Sequence, residues 1–168
     1  EIPENSELQT IEKSSFDNST IEKITISKSV IDIKKNWDFW TPKLTKIIIS
    51  PENPRYSMYD DKLVIAKSSI ENENYDVLLS CVHDIEIAEI PNFIEVISEC
   101  AFENCTKLRK VVFQDGSKLQ KIDEDPFYSS AFYSIVIPPH VTYIDKFAFQ
   151  FCYKLQIIEI NECLEIES

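Results

Sequence analysis

A single glycine in 168 residues is the first thing missing from this sequence. One glycine cannot build a Gly-rich phosphate loop, and turns that need a positive φ fall mainly to Asn and Asp, the next most tolerant residues. Basic residues are also scarce, with 17 Lys and Arg against 29 Asp and Glu and a net charge of −12. Nucleic-acid affinity rests on Lys and Arg displacing counterions from phosphates, so this balance argues against nucleic acid as a partner. It disfavours anionic membrane surfaces for the same reason. No apolar run reaches the roughly 20 residues that span a bilayer, because Lys, Asp or Glu interrupts every candidate. No membrane contact by this segment is expected, and no basic and apolar leader is visible at Glu1.

Residues that carry chemistry are equally sparse. His83 and His140 are the only histidines, and neither lies in a nucleophile or metal motif. The five cysteines, Cys81, Cys100, Cys105, Cys152 and Cys163, are odd in number and too few for a disulfide framework. Cys100 and Cys163 have no partner at metal-like spacing. The acidic groups Asp60-Asp61 and Asp123-Glu124-Asp125 lack the ordered ligand set of a specific calcium site and read as solvated turn charge. No enzyme activity, cofactor or metal is expected.

What is present is a repeat. Apolar residues make up 43% of the chain, enough for one continuous core in a single unit spanning 1–168. The segments "AFENCTKLRKVVF" (101–113) and "AFQFCYKLQIIEI" (148–160) share one skeleton: Ala-Phe, Cys three residues on, Leu three further, then an apolar alternation. A strand-like core, apolar-x-x-apolar-x-apolar, ends at Ile26, Ile49, Ile90, Phe113, Ile137 and Ile160, with gaps of 23, 41, 23, 24 and 23 residues. The period is therefore 23 with one insertion. A unit this short buries about six apolar side chains, on the order of 10–15 kcal/mol, while ordering its backbone costs roughly 1–2 kcal/mol per residue. It gains stability only by stacking, as parallel strands about 4.8 Å apart in a solenoid.

The pattern Ile90-Pro91, Ile94, Ile97, Ala101-Phe102, Cys105, Leu108, Val111, Phe113 resembles the BspA-type leucine-rich repeat of bacterial and protozoan surface antigens. Phe127, Ser130, Phe132, Ile135, Ile137-Pro138 is similar to the variant in which Ser replaces Cys. The resemblance covers nearly the whole chain. It implies a right-handed, mainly β solenoid of about six turns with a parallel strand ladder and short helical or turn corners. The stretch "NWDFWTP" (36–42) departs from it, with Trp37, Phe39 or Trp40, and Thr41 standing at the Ala-Phe and Cys positions, so an irregular corner is expected there. Cys105 and Cys152 share a ladder position with Ser130 between them. Two rungs separate them by roughly 9–10 Å, beyond the roughly 7 Å limit for bridging Cα atoms, so both read as buried packing thiols.

Residues 50–82 form the insertion. Its apolar runs, Leu63 to Ala66 and Tyr75 to Val82, flank the polar "KSSIENEN" and predict a β-hairpin. Asn-Pro-x-Tyr (53–56) ahead of such a hairpin is similar to insertions in the resembled family. "QDGS" (114–117) puts the only glycine where a tight turn needs it. Two sequons, Asn18-Ser19-Thr20 and Asn104-Cys105-Thr106, offer weak glycosylation candidates at Asn18 and Asn104; a glycan at Asn104 requires it to point outward beside a buried Cys105.

Strand residues between the inward apolar positions form an exposed face. On it Ile48, Ile87, Val112, Val136 and Ile157 put a branched apolar residue on each of five successive rungs, with Lys46 and Lys110 nearby. β-Propensity alone accounts for such residues; a contiguous apolar stripe rimmed by charge would instead mark a protein-binding site. These seven residues are the hypothesised contacts. The resemblance implies a non-enzymatic module of a cell-surface antigen or adhesin, extracellular, contacting host-cell or extracellular-matrix proteins. An intracellular interaction scaffold, cytoplasmic, and a structural spacer remain alternatives. Neither end carries a capping unit, with Ser6 and Leu8 inside a turn and Leu164 and Ile166 where another would begin. A fragment of a longer array, able to self-associate through its ends, is expected.

Overall fold

Pairs of apolar residues separated by one residue recur at the period of the repeat, and each falls in a four-residue strand. The computed structural model describes Pro3 and residues 5–160. Its long strands are β2 (Lys23–Ile26), β4 (Lys46–Ile49), β8 (Ile87–Ile90), β10 (Lys110–Phe113), β12 (Ser134–Ile137) and β14 (Ile157–Ile160). Two-residue strands precede them: β1 (Thr10–Ile11), β3 (Asp32–Ile33), β9 (Val96–Ile97), β11 (Lys121–Ile122) and β13 (Tyr143–Ile144). Long strands pair in parallel as β2 with β4, β8 with β10 and β12 with β14. In the earlier strands, inward residues such as Ile24, Ile26, Ile90, Ile135 and Ile137 are buried, whereas all of β14 is exposed. No helix occurs among the described residues, so every corner is a turn. With the insertion counted as a layer, the solenoid has about seven turns, one more than the repeat period alone indicates.

The insertion is a three-stranded addition. β5 (Tyr56–Tyr59), β6 (Leu63–Ala66) and β7 (Val77–Cys81) pair antiparallel in sequence order, and β7 continues in parallel with β9. The expected hairpin of Leu63–Ala66 with the following run is present. The sequence pattern missed β5, whose turn into β6 places Asp60 and Asp61 at φ 51° and 53°. The later short strands and the hairpin thus form one six-stranded sheet, ordered β13-β11-β9-β7-β6-β5, while β1 and β3 pair in a sheet of their own. The Asn-Pro-x-Tyr segment fastens it to the preceding turn. Asn53 is buried, its Nδ2 donates to the Ser27 and Val30 carbonyls, and its Oδ1 accepts from the Arg55 and Tyr56 amides. The Tyr56 hydroxyl accepts from the Ile33 amide at 2.7 Å.

The corners repeat with one backbone device. Positive φ falls on pairs four residues apart: Ser14 and Asn18, Asn36 and Trp40, Cys100 and Asn104, Asp125 and Ser129, Phe147 and Phe151. The expectation that Asn and Asp supply these angles covers only part of the set. Aromatic, Ser and Cys residues hold the same angle at equivalent points of the corner, and amide-to-carbonyl bonds tie successive corners together. Phe102 donates to Pro126, Asn104 to Tyr128, Phe127 to Ala148 and Ser129 to Gln150. Each such angle costs a non-glycine residue roughly 1–2 kcal/mol, met by the stacked corner bonds. Gly116, at φ 72°, serves the "QDGS" turn as expected.

Candidate protein-binding face

Strand register decides what the outward residues can form together. It aligns Lys110 with Ile87, Val112 with Glu89, Ser134 with Ile157 and Val136 with Glu159. Ile48 lies beside Thr25, and Lys46 beside Lys23. The seven expected contacts therefore occupy two columns. Lys46, Ile87, Lys110 and Ile157 stand in one; Ile48, Val112 and Val136 stand in the other. The ladder also breaks, because β4 pairs with β2 and not with β8 among the described residues. Ile48 and Lys46 are thereby separated from the rest, and the five apolar residues do not make one straight stripe. Ile48, Ile87, Val136 and Ile157 are exposed and Val112 is half-buried.

Three of the seven converge. Lys110, Val112 and Val136 line one groove of about 300 Å³ together with Phe113, Pro138 and Pro139, and the Gln114–Ser117 loop forms its rim. Ile87 instead lines a smaller hollow of about 170 Å³ beside Asp60 and Lys62 of the β5–β6 turn. The proline pair and the glycine loop are contributions that alternation alone did not single out. Their signal was the Pro that follows a strand end and the one-residue lengthening at "QDGS".

The residues with chemical potential lie elsewhere, inside the corners. The corner Phe rings stack, Phe102 on Phe127 at 5.3 Å between centroids and 6° between planes, and Phe127 on Phe149 at 5.6 Å and 2°. The Cys position donates to the ring residue's carbonyl one layer back: Ser130 Oγ to Phe102 at 2.6 Å and Cys152 Sγ to Phe127 at 2.9 Å. Burial pushes the Cys152 thiol up to about 11. Cys105 has the hairpin behind it instead of a corner, and its Sγ meets Cys81 Sγ at 3.4 Å, both buried. Burial, then the bond to Cys105, pushes the Cys81 thiol well up, so Cys81 does not read as a nucleophile. Cys163 lies outside the described residues.

The 36–42 corner keeps the regular backbone, with the same positive-φ pair at Asn36 and Trp40. The expected irregularity is one of side chains. Thr41 stands at the Cys position as read, with Oγ1 donating to the Asp38 carbonyl. The ring position, however, belongs to Asp38 and not to Phe39 or Trp40. Trp37 is buried beside it and packs edge-on to Phe16 at 5.8 Å. Buried Asp38 Oδ2 accepts from Ser80 Oγ at 2.7 Å and lies 3.6 Å from His83 Nε2, an ion-pair distance. Burial pulls the His83 pKa down, but bonding and charge from Asp38 outweigh it and leave the value raised. In the next layer burial pushes the Glu103 carboxyl up to about 7, against a smaller lowering from Cys100. Ser80 donates to the Asp38 carboxylate rather than to the imidazole, so Ser80, His83 and Asp38 do not stand in the order of a catalytic triad.

Asn18 is exposed, but Asn104 is buried, and its Nδ2 donates to Glu103 Oε1 at 3.0 Å. Asn18 and Asn104 hold equivalent αL positions of their corners, so the difference between them is one of side-chain surroundings, with Asn104 packed against Glu103 rather than pointing outward. Asp123 is buried and takes an ion pair from both Lys35 and Lys121.

Across this fold the BspA type Leucine rich repeat region, in six copies, matches residues 1–77 and 69–168. The chain belongs to the BspA-type leucine-rich repeat family. A leucine-rich repeat protein from Eubacterium ventriosum has the same fold, with a TM-score of 0.80 at 24% identity over 92% of this chain and 40% of that one. The pneumococcal vaccine antigen PcpA superposes with a TM-score of 0.72 at 19% identity, covering 93% of this chain and 43% of its own. A leucine rich cell surface protein from Faecalibacterium prausnitzii gives 0.51 at 20%, covering 96% and 53%. The chain thus spans about two fifths of the first two proteins. No curated protein matches it in sequence. No helix of the described residues is long and apolar enough to cross a membrane. In this BspA-type segment the Phe stack and the Cys-position bonds recur from layer to layer, while the groove, the hairpin and the Asp38 layer each occur at one place along the described residues.

Proposed function

We propose that this BspA-type segment is a non-enzymatic protein-binding module of a cell-surface antigen or adhesin that contacts host-cell or extracellular-matrix proteins. The observation that carries the reading is the groove between β10 and β12. It offers two branched side chains, two prolines and a phenyl ring, with Lys110 and Asp115 at its rim, and so joins an apolar floor to charged edges. The descriptions of two neighbours as a vaccine antigen and a cell surface protein support the surface location. Lys110, Val112 and Val136 are the central contacts; Ile87 and Ile157 flank them, and Lys46 and Ile48 belong to a separate part of the face. Asn18 remains the sequon open to a surface sugar.

Self-association belongs to the same reading. Ile158 and Ile160 are 47% and 69% exposed, whereas their counterparts Ile135 and Ile137 are each at 1%. Another turn of a longer array, or a second copy, would cover them. Introducing Val112→Asp and Val136→Asp together should abolish binding to immobilised matrix proteins and host cells while leaving the thermal transition in place. Unchanged binding by the folded double variant would remove this groove from the function. Surface biotinylation of the native protein separates an adhesin from a cytoplasmic scaffold.

A further inference from the structure

The six-stranded sheet carries a second groove, on its own outer face and away from the long strands. Its volume is about 270 Å³, at the small end of ligand sites, so it suits one or two side chains of a peptide better than a whole cofactor. Val77, Leu79 and Val96 supply an apolar floor. Four cations line it, Lys35, Arg55, Lys67 and Lys121, against a single carboxylate, Asp123. In a chain with a net charge of −12 this concentration of positive charge is not a sample of the average surface.

The cations are held in place. Asp123 takes Lys35 on one oxygen and Lys121 on the other. Burial pushes its pKa up, but the bonds from Lys121 and Lys35 win and leave it lowered, so the carboxylate stays charged and anchors both. Arg55 is fixed by neutral groups, donating to the carbonyls of Ile31 at 3.0 Å, Lys67 at 3.2 Å and Ser68 at 3.4 Å. It also forms a long ion pair with Asp32 at 3.8 Å, a carboxylate whose other oxygen takes Lys34 at 2.6 Å. The Lys67 ammonium lies over the Tyr75 ring at 5.5 Å. The lining therefore keeps more positive charge than Asp123 neutralises, in a preorganised arrangement that lowers the cost of binding an anion.

A second observation points the same way. Ser98, on the floor and 1% exposed, has a buried Oγ with no hydrogen-bond partner among the described residues. An unpaired buried hydroxyl costs about 1–3 kcal/mol, and an acceptor entering the groove would relieve it.

We infer that this groove binds an extended acidic peptide segment of a partner protein, one aliphatic side chain on the floor and carboxylates against Lys35, Lys67 and Arg55. Charge complementarity selects the acidic partner, and the apolar floor selects a peptide over a simple anion. The site is independent of the groove between β10 and β12.

Fluorescence polarisation with a fluorescein-labelled peptide of alternating glutamate and leucine tests it. Binding should saturate at about 50 mM salt and weaken about tenfold or more by about 500 mM, where the Debye length has shrunk severalfold. Replacing glutamate by glutamine in the peptide should abolish it. The double variant Lys35→Glu, Lys67→Glu should lose at least about tenfold, equivalent to about 1.4 kcal/mol, while Lys67→Arg and the Val112→Asp, Val136→Asp protein bind normally. Arg55 is left intact because it also clamps the hairpin. Absence of saturable binding overturns the inference. So does equal binding of the glutamine peptide, or competition by a sulfated disaccharide as strong as that of unlabelled peptide, which would reassign the groove to anionic sugars.

Discussion

Two neighbouring parts of one column solve the same packing problem differently. From Phe102 through Phe127 to Phe149 the corner position holds a ring, and each ring lies nearly parallel to the next. One repeat earlier that position holds Asp38, and the hairpin answers it with Ser80 and His83 where no corner exists. The ring stack needs only an identical neighbour, because dispersion and hydrophobic burial are non-directional. The polar layer needs particular donors at particular distances, since a buried carboxylate without them costs several kcal/mol. A regular repeat can therefore propagate on rings, while the point of insertion is stitched together by charge. That stitch is incomplete, because His83 Nδ1 and Glu103 Oε2 are buried with no hydrogen-bond partner among the described residues.

The contrast predicts different responses to substitution and pH. Phe127→Ala removes the central ring and should cost about 4 kcal/mol in urea unfolding, nearly independent of pH. Glu103→Gln should act with the opposite sign and a steep pH dependence. Its carboxyl has a folded value near 7 against an ordinary 4.5. A value raised by folding contributes stability in full below the ordinary value and loses it as pH rises through the folded one. Glu103→Gln should therefore match the wild type near pH 4 and exceed it by about 3 kcal/mol near pH 8, measured in the same unfolding assay. His83, also raised, shifts stability in the same sense, whereas Asp123, lowered by its lysines, loses its contribution as pH falls. A flat difference between Glu103→Gln and wild type would remove the distinction between the two layers. The smallest effect is expected at the backbone device that both share. Ser129 sits at φ 57°, and Ser129→Gly should gain about 0.5–1 kcal/mol by relieving that conformation, read as a small rise in Tm.

Legibility followed period. Ile24, Ile26, Ile94, Ile97, Leu108, Ile135 and Ile137 recur at fixed offsets, and all are buried as the repeat requires. The Leu63–Ala66 hairpin strand was visible as a bounded apolar run, and the "QDGS" turn by the sequence's single glycine, Gly116. β5 was not, because "YSMY" lacks a sustained alternation and becomes a strand only by pairing with β6. Asn18 and Asn104 carry the same kind of triplet at equivalent corner positions, yet only Asn104 is buried, because its side chain bonds to Glu103. The outward residues fared as expected for groups with no packing constraint. Val112 and Val136 share a groove, while Ile48 stands apart because the insertion breaks the ladder between β4 and β8.

By itself the sequence determined the repeat length, the inward set and the parallel ladder, because burial with a fixed period leaves its mark on every turn. Only the tertiary structure decided which exposed residues meet, why Asp38 can be buried, and that Lys35, Arg55, Lys67 and Lys121, scattered over 87 positions, line one groove. Those contacts join different layers and the inserted hairpin, and no local pattern records a distance between residues that the chain brings together only by folding.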